Sequence, residues 1–169
     1  MVEHNVGILK NYQATLMYGV NNGIKDIIKS QLKNLNKDAE TIIFFEEEVL
    51  KTKNILYENI INESLFNEKK IIIIQEATDK IFNEIYECLK KENNNIEIYI
   101  CSENLDKKSK LRNHFEKSKK LAILPCYEDN ERTLINYITK DLNGYKGLTG
   151  EIINFIITNS NKNRKIIQS

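Results

Sequence analysis

Lys70-Ile71-Ile72-Ile73-Ile74-Gln75 sets four isoleucines in a row between a lysine and an amide. Four consecutive β-branched residues without polar alternation read as a strand of a sheet covered on both faces. Runs of similar character recur at Ala14 to Tyr18, Thr41 to Phe45, Ile96 to Ile100 and Leu121 to Pro125, each beginning 25 to 29 residues after the one before. The stretches between them carry helical periodicity, so the pattern is a succession of βα units and the fold class is α/β, a mostly parallel five-stranded sheet flanked by helices. One strand reads differently. Ile96, Ile98 and Ile100 alternate with Glu97 and Tyr99, which predicts a half-exposed strand and not a central one.

The helices follow from the same periodicity. A long helical stretch is expected over Glu46 to Phe66. Asp79 is placed to cap a helix whose apolar stripe is Ile81, Ile85 and Leu89. Asp129 is read as the cap of another, carrying Leu134, Ile135, Ile138 and Leu142, with Gly144 where a left-handed residue is wanted. Thr149 starts a last one, with Ile152, Ile153, Ile156 and Ile157 on one side. Tyr145 to Leu148 makes a polar, Gly-containing break before that helix. The expected organisation is therefore a first domain over residues 1–143 and, over 144–169, the beginning of a small helical second unit, with the chain cut inside a longer protein.

Composition removes several function classes. With 25 Lys+Arg against 24 Asp+Glu the formal net charge is +1, so no global surplus of positive charge exists for counterion release to exploit, and any nucleic-acid contact must be local. At 41% hydrophobic and 29% charged, the chain is an ordinary globular one, not a disordered one. No apolar run approaches the roughly 20 residues of a membrane helix. Met1 to Lys10 lacks the basic and apolar regions of a secretory signal, so a cytoplasmic location without a membrane partner is expected. Cys88, Cys101 and Cys126, odd in number and widely spaced, fit reduced thiols better than a disulfide framework or a zinc site.

In a parallel α/β fold, ligands sit at the carboxyl ends of the strands, and the turn after the first strand is the place to test for a phosphate site. It reads Gly19-Val20-Asn21-Asn22-Gly23-Ile24-Lys25-Asp26. Counted from Gly19, the loop G-x-x-x-x-G-K-[ST] wants glycine at 24 and a hydroxyl at 26. Only Lys25 survives. Ile24 adds a Cβ where backbone must approach phosphate, and Asp26 puts a carboxylate where a hydroxyl should hold magnesium. The third strand is followed by Gln75 and Glu76, where an NTPase places its magnesium-binding Asp directly after the apolar run. His4 and His114 are the two histidines, too few for a Ser/His/Asp or metal cluster, and neither G-x-S-x-G nor C-x-x-C is present. The reading names no catalytic residue, metal ligand or cofactor.

Two features are suited to making contacts. Ser64-Leu65-Phe66 closes the helical stretch before the third strand, and adjacent helical positions point about 100° apart, so Leu65 and Phe66 cannot both face the sheet of a regular helix. They either close the core or protrude as an apolar plug. The second feature runs from Leu105 through Lys107, Lys108, Lys110, Leu111, Arg112, His114 and Phe115 to Lys117, Lys119 and Lys120. Leu111 and Phe115 share one face and basic residues crowd the rest, which makes either a solvated face or a local cationic patch for phosphate or an acidic partner.

Taken together, Leu16-Met17-Tyr18-Gly19 with Asn21 and Gly23, Ser64-Leu65-Phe66 before Lys69-Lys70 and the isoleucines, and Leu105-Asp106-Lys107 with Ser109 to Arg112, Phe115 and Glu116 make a chain-wide pattern. With Pro125-Cys126-Tyr127, Asp129 and Arg164, it resembles the N-terminal part of the delta subunit of the bacterial DNA polymerase III clamp loader. The resemblance implies an AAA+, P-loop-NTPase-like first domain with a decayed nucleotide loop at Gly19, Gly23 and Lys25. It implies a non-catalytic subunit of the DNA polymerase III holoenzyme, a nucleotidyltransferase complex, that binds the ring-shaped sliding clamp through Ser64, Leu65 and Phe66 and favours its opening. It implies further loader subunits as partners, with DNA touched indirectly or weakly; from the charge pattern alone, Lys107, Lys108, Lys110 and Arg112 are the residues placed for a contact with DNA or a partner. Two other readings remain open at this level: a nucleotide-binding enzyme with a divergent phosphate loop, and a direct DNA-binding module using the basic stretch 107–120.

Overall fold

Four isoleucines in a row are all buried only if both faces of their strand are covered, and in the computed structural model they are: Ile71, Ile72, Ile73 and Ile74 lie in the core. The structure describes residues 6–61, 69–91 and 95–167. Five strands, β1 (Ala14–Tyr18), β2 (Glu40–Phe45), β3 (Lys70–Gln75), β4 (Ile96–Ser102) and β5 (Leu121–Pro125), form one all-parallel sheet in the order β2-β3-β4-β1-β5. Register aligns like with like: Ile72 lies opposite Ile98 on one side and Ile42 on the other, and Leu16 opposite Ile100 and Ile123.

Strand periodicity splits these residues between two cores. On one face Leu16, Ile72, Ile74, Ile98 and Ile100 pack with Leu56 and Ile60 of α3 (Ile55–Ile61), Ile85 of α4 (Phe82–Leu89), and Leu111 and Phe115 of α5 (Lys110–Lys117). On the other face Met17, Ile71, Ile73, Tyr99 and Cys101 pack with Ile28 and Leu32 of α1 (Asn22–Leu35), and with Val6 and Leu9 of a 3-10 turn. A third cluster joins Leu134, Tyr137 and Ile138 of α6 (Glu131–Asp141) to Ile153 and Ile157 of α7 (Gly150–Asn159), with Ile27 of α1 as its link to the sheet layer. Among the described residues no helix is long and apolar enough to cross a membrane.

From β1 the chain crosses two strands to reach the sheet edge at β2, with α1 on one face. From β4 it crosses β1 to reach β5, with α5 on the other face. Neighbouring connections thus leave in opposite directions between β1 and β4, which defines the topological switch point at their carboxyl ends.

Several sequence expectations are corrected. β4 is central, between β3 and β1, and is buried apart from a half-buried Glu97. The polar alternation survives there because the Tyr99 hydroxyl donates to Glu97 at 2.8 Å, so the two polar groups satisfy each other on the α1 side. The stretch from Glu46 is not one helix. α2 (Glu46–Lys51) ends at Thr52, whose backbone is extended, and Asn54 turns left-handed at φ 64° before α3 begins. A β-branched residue followed by a residue tolerant of the left-handed region interrupts the helix there. Its expected end, with Ser64, Leu65 and Phe66, lies outside the described residues. Thr78 and not Asp79 caps the 3-10 turn that precedes α4. Asn130 and not Asp129 caps α6, through a reciprocal pair of bonds with Thr133. Thr149 does cap α7, yet Ile152 points outward while Ile153 and Ile157 are buried.

Candidate functional site at the carboxyl edge of the sheet

The turn after β1 is strapped to both neighbouring strands. The Gly19 amide donates to Glu103 O at 3.0 Å beyond β4, and the Asn21 amide donates to Cys126 O at 3.0 Å beyond β5. Gly19 has φ +127°, and a Cβ built on it would lie 2.2 Å from the Cys126 carbonyl oxygen. Glycine is therefore required here by the approach of β5, a structural demand independent of any phosphate.

Asn21 then caps α1, its side-chain oxygen accepting from the Ile24 amide at 3.1 Å. Its amide group donates to Tyr127 O at 3.1 Å and to Asp129 Oδ2 at 2.8 Å. Asp129 is the hub. Arg164, at the start of α8 (Arg164–Ile167), donates from Nε to Oδ2 and from Nη2 to Oδ1, both at 2.6 Å, and Thr133 adds a bond to Oδ1 at 2.8 Å. The two side chains of this fork are 3% and 4% exposed. The guanidinium lies over the Tyr137 ring, 4.6 Å from its centroid. Burial pushes the Asp129 carboxyl up, but the bonds from Arg164, Asn21 and Thr133 outweigh it and hold it below the usual carboxylate range.

The consequence is chemical. A phosphate at the N-terminus of α1 would need free amides and nearby cations. The Ile24 amide is taken by Asn21, and Arg164 is taken by Asp129. A Cβ added at Gly23 would come within 3.3 Å of the Arg164 Cβ, so α8 lies directly on this turn. Lys25 is 4% exposed, and its Nζ donates to Asn22 Oδ1 at 3.2 Å. Asp26 pairs with Lys29 at 2.7 Å. At the end of β3, Glu76 is exposed with φ 59°, and the loop that follows is held by the buried Glu46 carboxylate, which accepts from the Thr78 amide and hydroxyl. Gly19, Gly23 and Lys25 lie together in this turn, whose polar groups are engaged within the protein by Asn21, Asn22 and Asp129. Among the described residues no cluster of His, Cys, Asp or Glu could hold a metal ion.

Sequence reasoning placed Asn21, Asp129 and Arg164 in the family pattern but missed that they bond to one another through Asp129. Asp129-Asn130 offers two cap-type residues in succession where one helix needs one, and that redundancy is the available signal. It also missed the pairing of Tyr18 with Tyr127, whose hydroxyls are 2.9 Å apart with rings edge to face at the mouth of the switch point.

Of the basic residues singled out, Lys107, Lys108 and Lys110 are exposed. Arg112 is turned inward, over the Tyr18 ring at 4.9 Å, with bonds to Leu105 O at 3.0 Å and Glu116 Oε1 at 2.8 Å. Asp79, released from the role expected of it, supplies the acceptors for the start of α5: the Ser109 hydroxyl at 2.7 Å and the Lys110 and Leu111 amides at 2.8 and 2.9 Å.

An all-parallel sheet of this strand order, with its switch point at the turn after β1, has the AAA+, P-loop-NTPase-like fold of the solved structures it is similar to. No protein-family profile matches the chain, and no curated protein matches it by sequence. Among solved structures it is similar to the DNA clamp loader delta protein of Bacillus subtilis, with a TM-score of 0.67 and 13% identity, over 99% of this chain and 55% of that one. It is also similar to domain III of the replication initiation protein DnaA from Thermotoga maritima, with a TM-score of 0.55 and 15% identity, over 99% of this chain and 79% of that domain. The chain therefore spans about half the length of the delta protein it matches.

Proposed function

We infer that this chain is a delta-type, non-hydrolysing clamp-loader component acting in DNA replication, and that it binds a sliding clamp through Leu65 and Phe66, with Ser64 beside them. The observation that carries the reading is the turn after β1: Asp129 accepts from both Arg164 and Asn21, and the Asn21 side chain takes the Ile24 amide, so the amide and cation a phosphate would use at this helix start are engaged within the protein. Likeness to a delta protein in fold and the residue pattern of that subunit point the same way.

Ring opening needs no covalent step. A partner that binds the open ring better than the closed one shifts the equilibrium by that difference in affinity and no more. Burying a leucine and a phenylalanine in a clamp pocket supplies roughly 3 to 6 kcal/mol before ordering costs. In this reading residues 1–143 are the clamp-binding domain, residues 144–169 begin the second unit, further loader subunits supply ATP hydrolysis, and the protein works in the cytoplasm.

The test has two arms. In a pull-down with the cognate clamp, Leu65→Ala with Phe66→Ala abolishes capture while the circular dichroism spectrum stays unchanged. Calorimetry with Mg-ATP gives no binding tighter than roughly 100 μM. Wild-type capture by the double variant, or tight nucleotide binding, defeats the reading.

A further inference from the structure

The sheet has two edges, and they are unlike. β5 ends in Pro125 and is preceded by Lys119 and Lys120, residue types that blunt an edge against further pairing. β2, at the other edge, has neither: Thr41-Ile42-Ile43-Phe44-Phe45 is a run of five β-formers without a charge. The Glu40 amide donates to Lys69 O at 2.9 Å, so the backbone of Glu40 faces β3. The Phe45 amide, an odd number of residues on, faces away from β3 and donates to Glu48 Oε2 at 2.7 Å. By the same alternation Thr41 and Ile43 turn their amides and carbonyls outward, and among the described residues no strand or loop pairs with them. Their side chains, with that of Phe45, line the α1 face of the sheet, since Ile43 is in register with Ile73 of that core. Ile43 is 50% exposed and Phe45 45%.

The two ends of this strand differ in charge. Around the amino end Lys37, Lys69 and Lys70 stand against Asp38 and Glu40, and Lys70 lies 3.8 Å from Glu40. Around the carboxyl end Glu46, Glu47, Glu48 and Glu76 stand against Lys51 and Lys80, with Glu47 bonded to Lys51 at 3.0 Å. Lysines outnumber acids at one end and acids outnumber lysines at the other, with the local pairs included. A strand of the same polarity laid antiparallel meets each end with its complement, whereas a parallel one sets like against like. The strand that carries this polarity by construction is β2 of a second copy, and a two-fold axis matches both ends at once.

We propose that β2 is a self-pairing edge, at which two copies of the chain join antiparallel across a two-fold axis at Ile43 and continue one sheet into the other. Centred there, each Ile43 amide donates to the other Ile43 carbonyl, and each Thr41 amide donates to the Phe45 carbonyl opposite. The reverse bond from Phe45 is not made, because Glu48 holds that amide. The axis runs normal to the sheet and keeps both α1 layers on one side, so the two Ile43 side chains meet and each Phe45 covers Thr41 of the second copy. A single edge pairing is small beside the roughly 1,200 Å² of a standard interface, so the association is weak and depends on concentration. It involves neither Leu65 nor Phe66 and needs no clamp or nucleotide.

Light scattering of the full chain between about 10 and 500 μM tests it, the mass being expected to rise from 19.8 kDa toward twice that value. Ile43→Lys, which sets two ammonium groups face to face at an exposed position, is expected to weaken the dimer more than about tenfold with an unchanged circular dichroism spectrum. Cysteine substitution under mild oxidation reads the register. Ile43→Cys places two thiols on Cα atoms about 5.5 Å apart, within disulfide reach, and is expected to cross-link two chains, whereas Thr41→Cys leaves them about 14 Å apart. Cys88, Cys101 and Cys126 are buried and give no background. Lys37→Glu and Glu47→Lys should each weaken the dimer alone and restore it when combined in one chain. A chain that stays monomeric throughout this range, an unchanged dimer in Ile43→Lys, cross-linking by Thr41→Cys as readily as by Ile43→Cys, or no restoration in the combined charge variant would each overturn the proposal.

Discussion

Asp129→Ala removes both carboxylate oxygens that face the Arg164 guanidinium, which is itself 3% exposed. Removing one partner of a buried ion pair leaves a desolvated charge, at a cost of about 3–5 kcal/mol. The same substitution also deprives Asn21 and Thr133 of an acceptor, at 2.8 Å each. Against the roughly 5–15 kcal/mol that holds a domain folded, this is a large share, and it lowers the melting temperature by about 2–4 °C per kcal/mol at this size. Asp129→Ala combined with Arg164→Met should cost less than the sum of the two single changes, because no charge is then left buried, with a coupling energy of about 1–3 kcal/mol. Urea unfolding followed by circular dichroism measures all three variants. A loss under about 1 kcal/mol for Asp129→Ala, as an exposed pair would give, or strict additivity in the double variant would refute the argument that this fork holds α8 on the turn after β1.

Two further outcomes follow from the same region. The Asp129 and Asp79 carboxyls are both held below the usual carboxylate range, by hydrogen bonds that outweigh burial, so the stability they contribute is complete above the unfolded value of about 3.9 and is lost as pH falls through their folded values. Melting temperature measured against pH should therefore fall on acidification below about pH 4, and Asp129→Asn should flatten that fall; an unchanged acid limb contradicts it. Gly19→Ala forces a Cβ to 2.2 Å from the Cys126 oxygen at a φ of +127°, and a loss of about 3 kcal/mol is expected in urea unfolding, against almost none for Gly147→Ala beyond its backbone strain, where nothing lies within 4 Å.

The strands were legible because burial on two faces leaves a direct mark on sequence: β3 and β5 fall where their apolar runs predict, within a residue. β4 was legible in position but not in place. Glu97 and Tyr99 solve their polarity with a bond to each other, and alternation alone does not reveal that bond. The two helix caps that failed share one cause, distinct from the break at Thr52 and Asn54. Asp79 and Asp129 are residue types that cap helices, and each was assigned to its own neighbouring helix, whereas Asp79 serves α5 from 30 residues away and Asp129 serves an arginine 35 residues on. A carboxylate carries no sequence sign of how far its partner lies. The departure of the turn after β1 from G-x-x-x-x-G-K-[ST] was visible in Ile24 and Asp26, but the bonds that join Asn21, Asp129 and Arg164 there required the fold. Ser64, Leu65 and Phe66 were singled out by a family pattern and by helix geometry and lie outside the described residues.

The most direct measurement is the affinity of the chain for its cognate sliding clamp by surface plasmon resonance, with wild type and the Leu65→Ala, Phe66→Ala variant flowed over immobilised clamp. If two central apolar anchors carry the contact, each worth about 2 kcal/mol or more, the variant binds at least about 1000-fold more weakly while wild type binds measurably without ATP. A wild-type chain that does not bind the ring, or a variant that binds it equally well, contradicts the assignment.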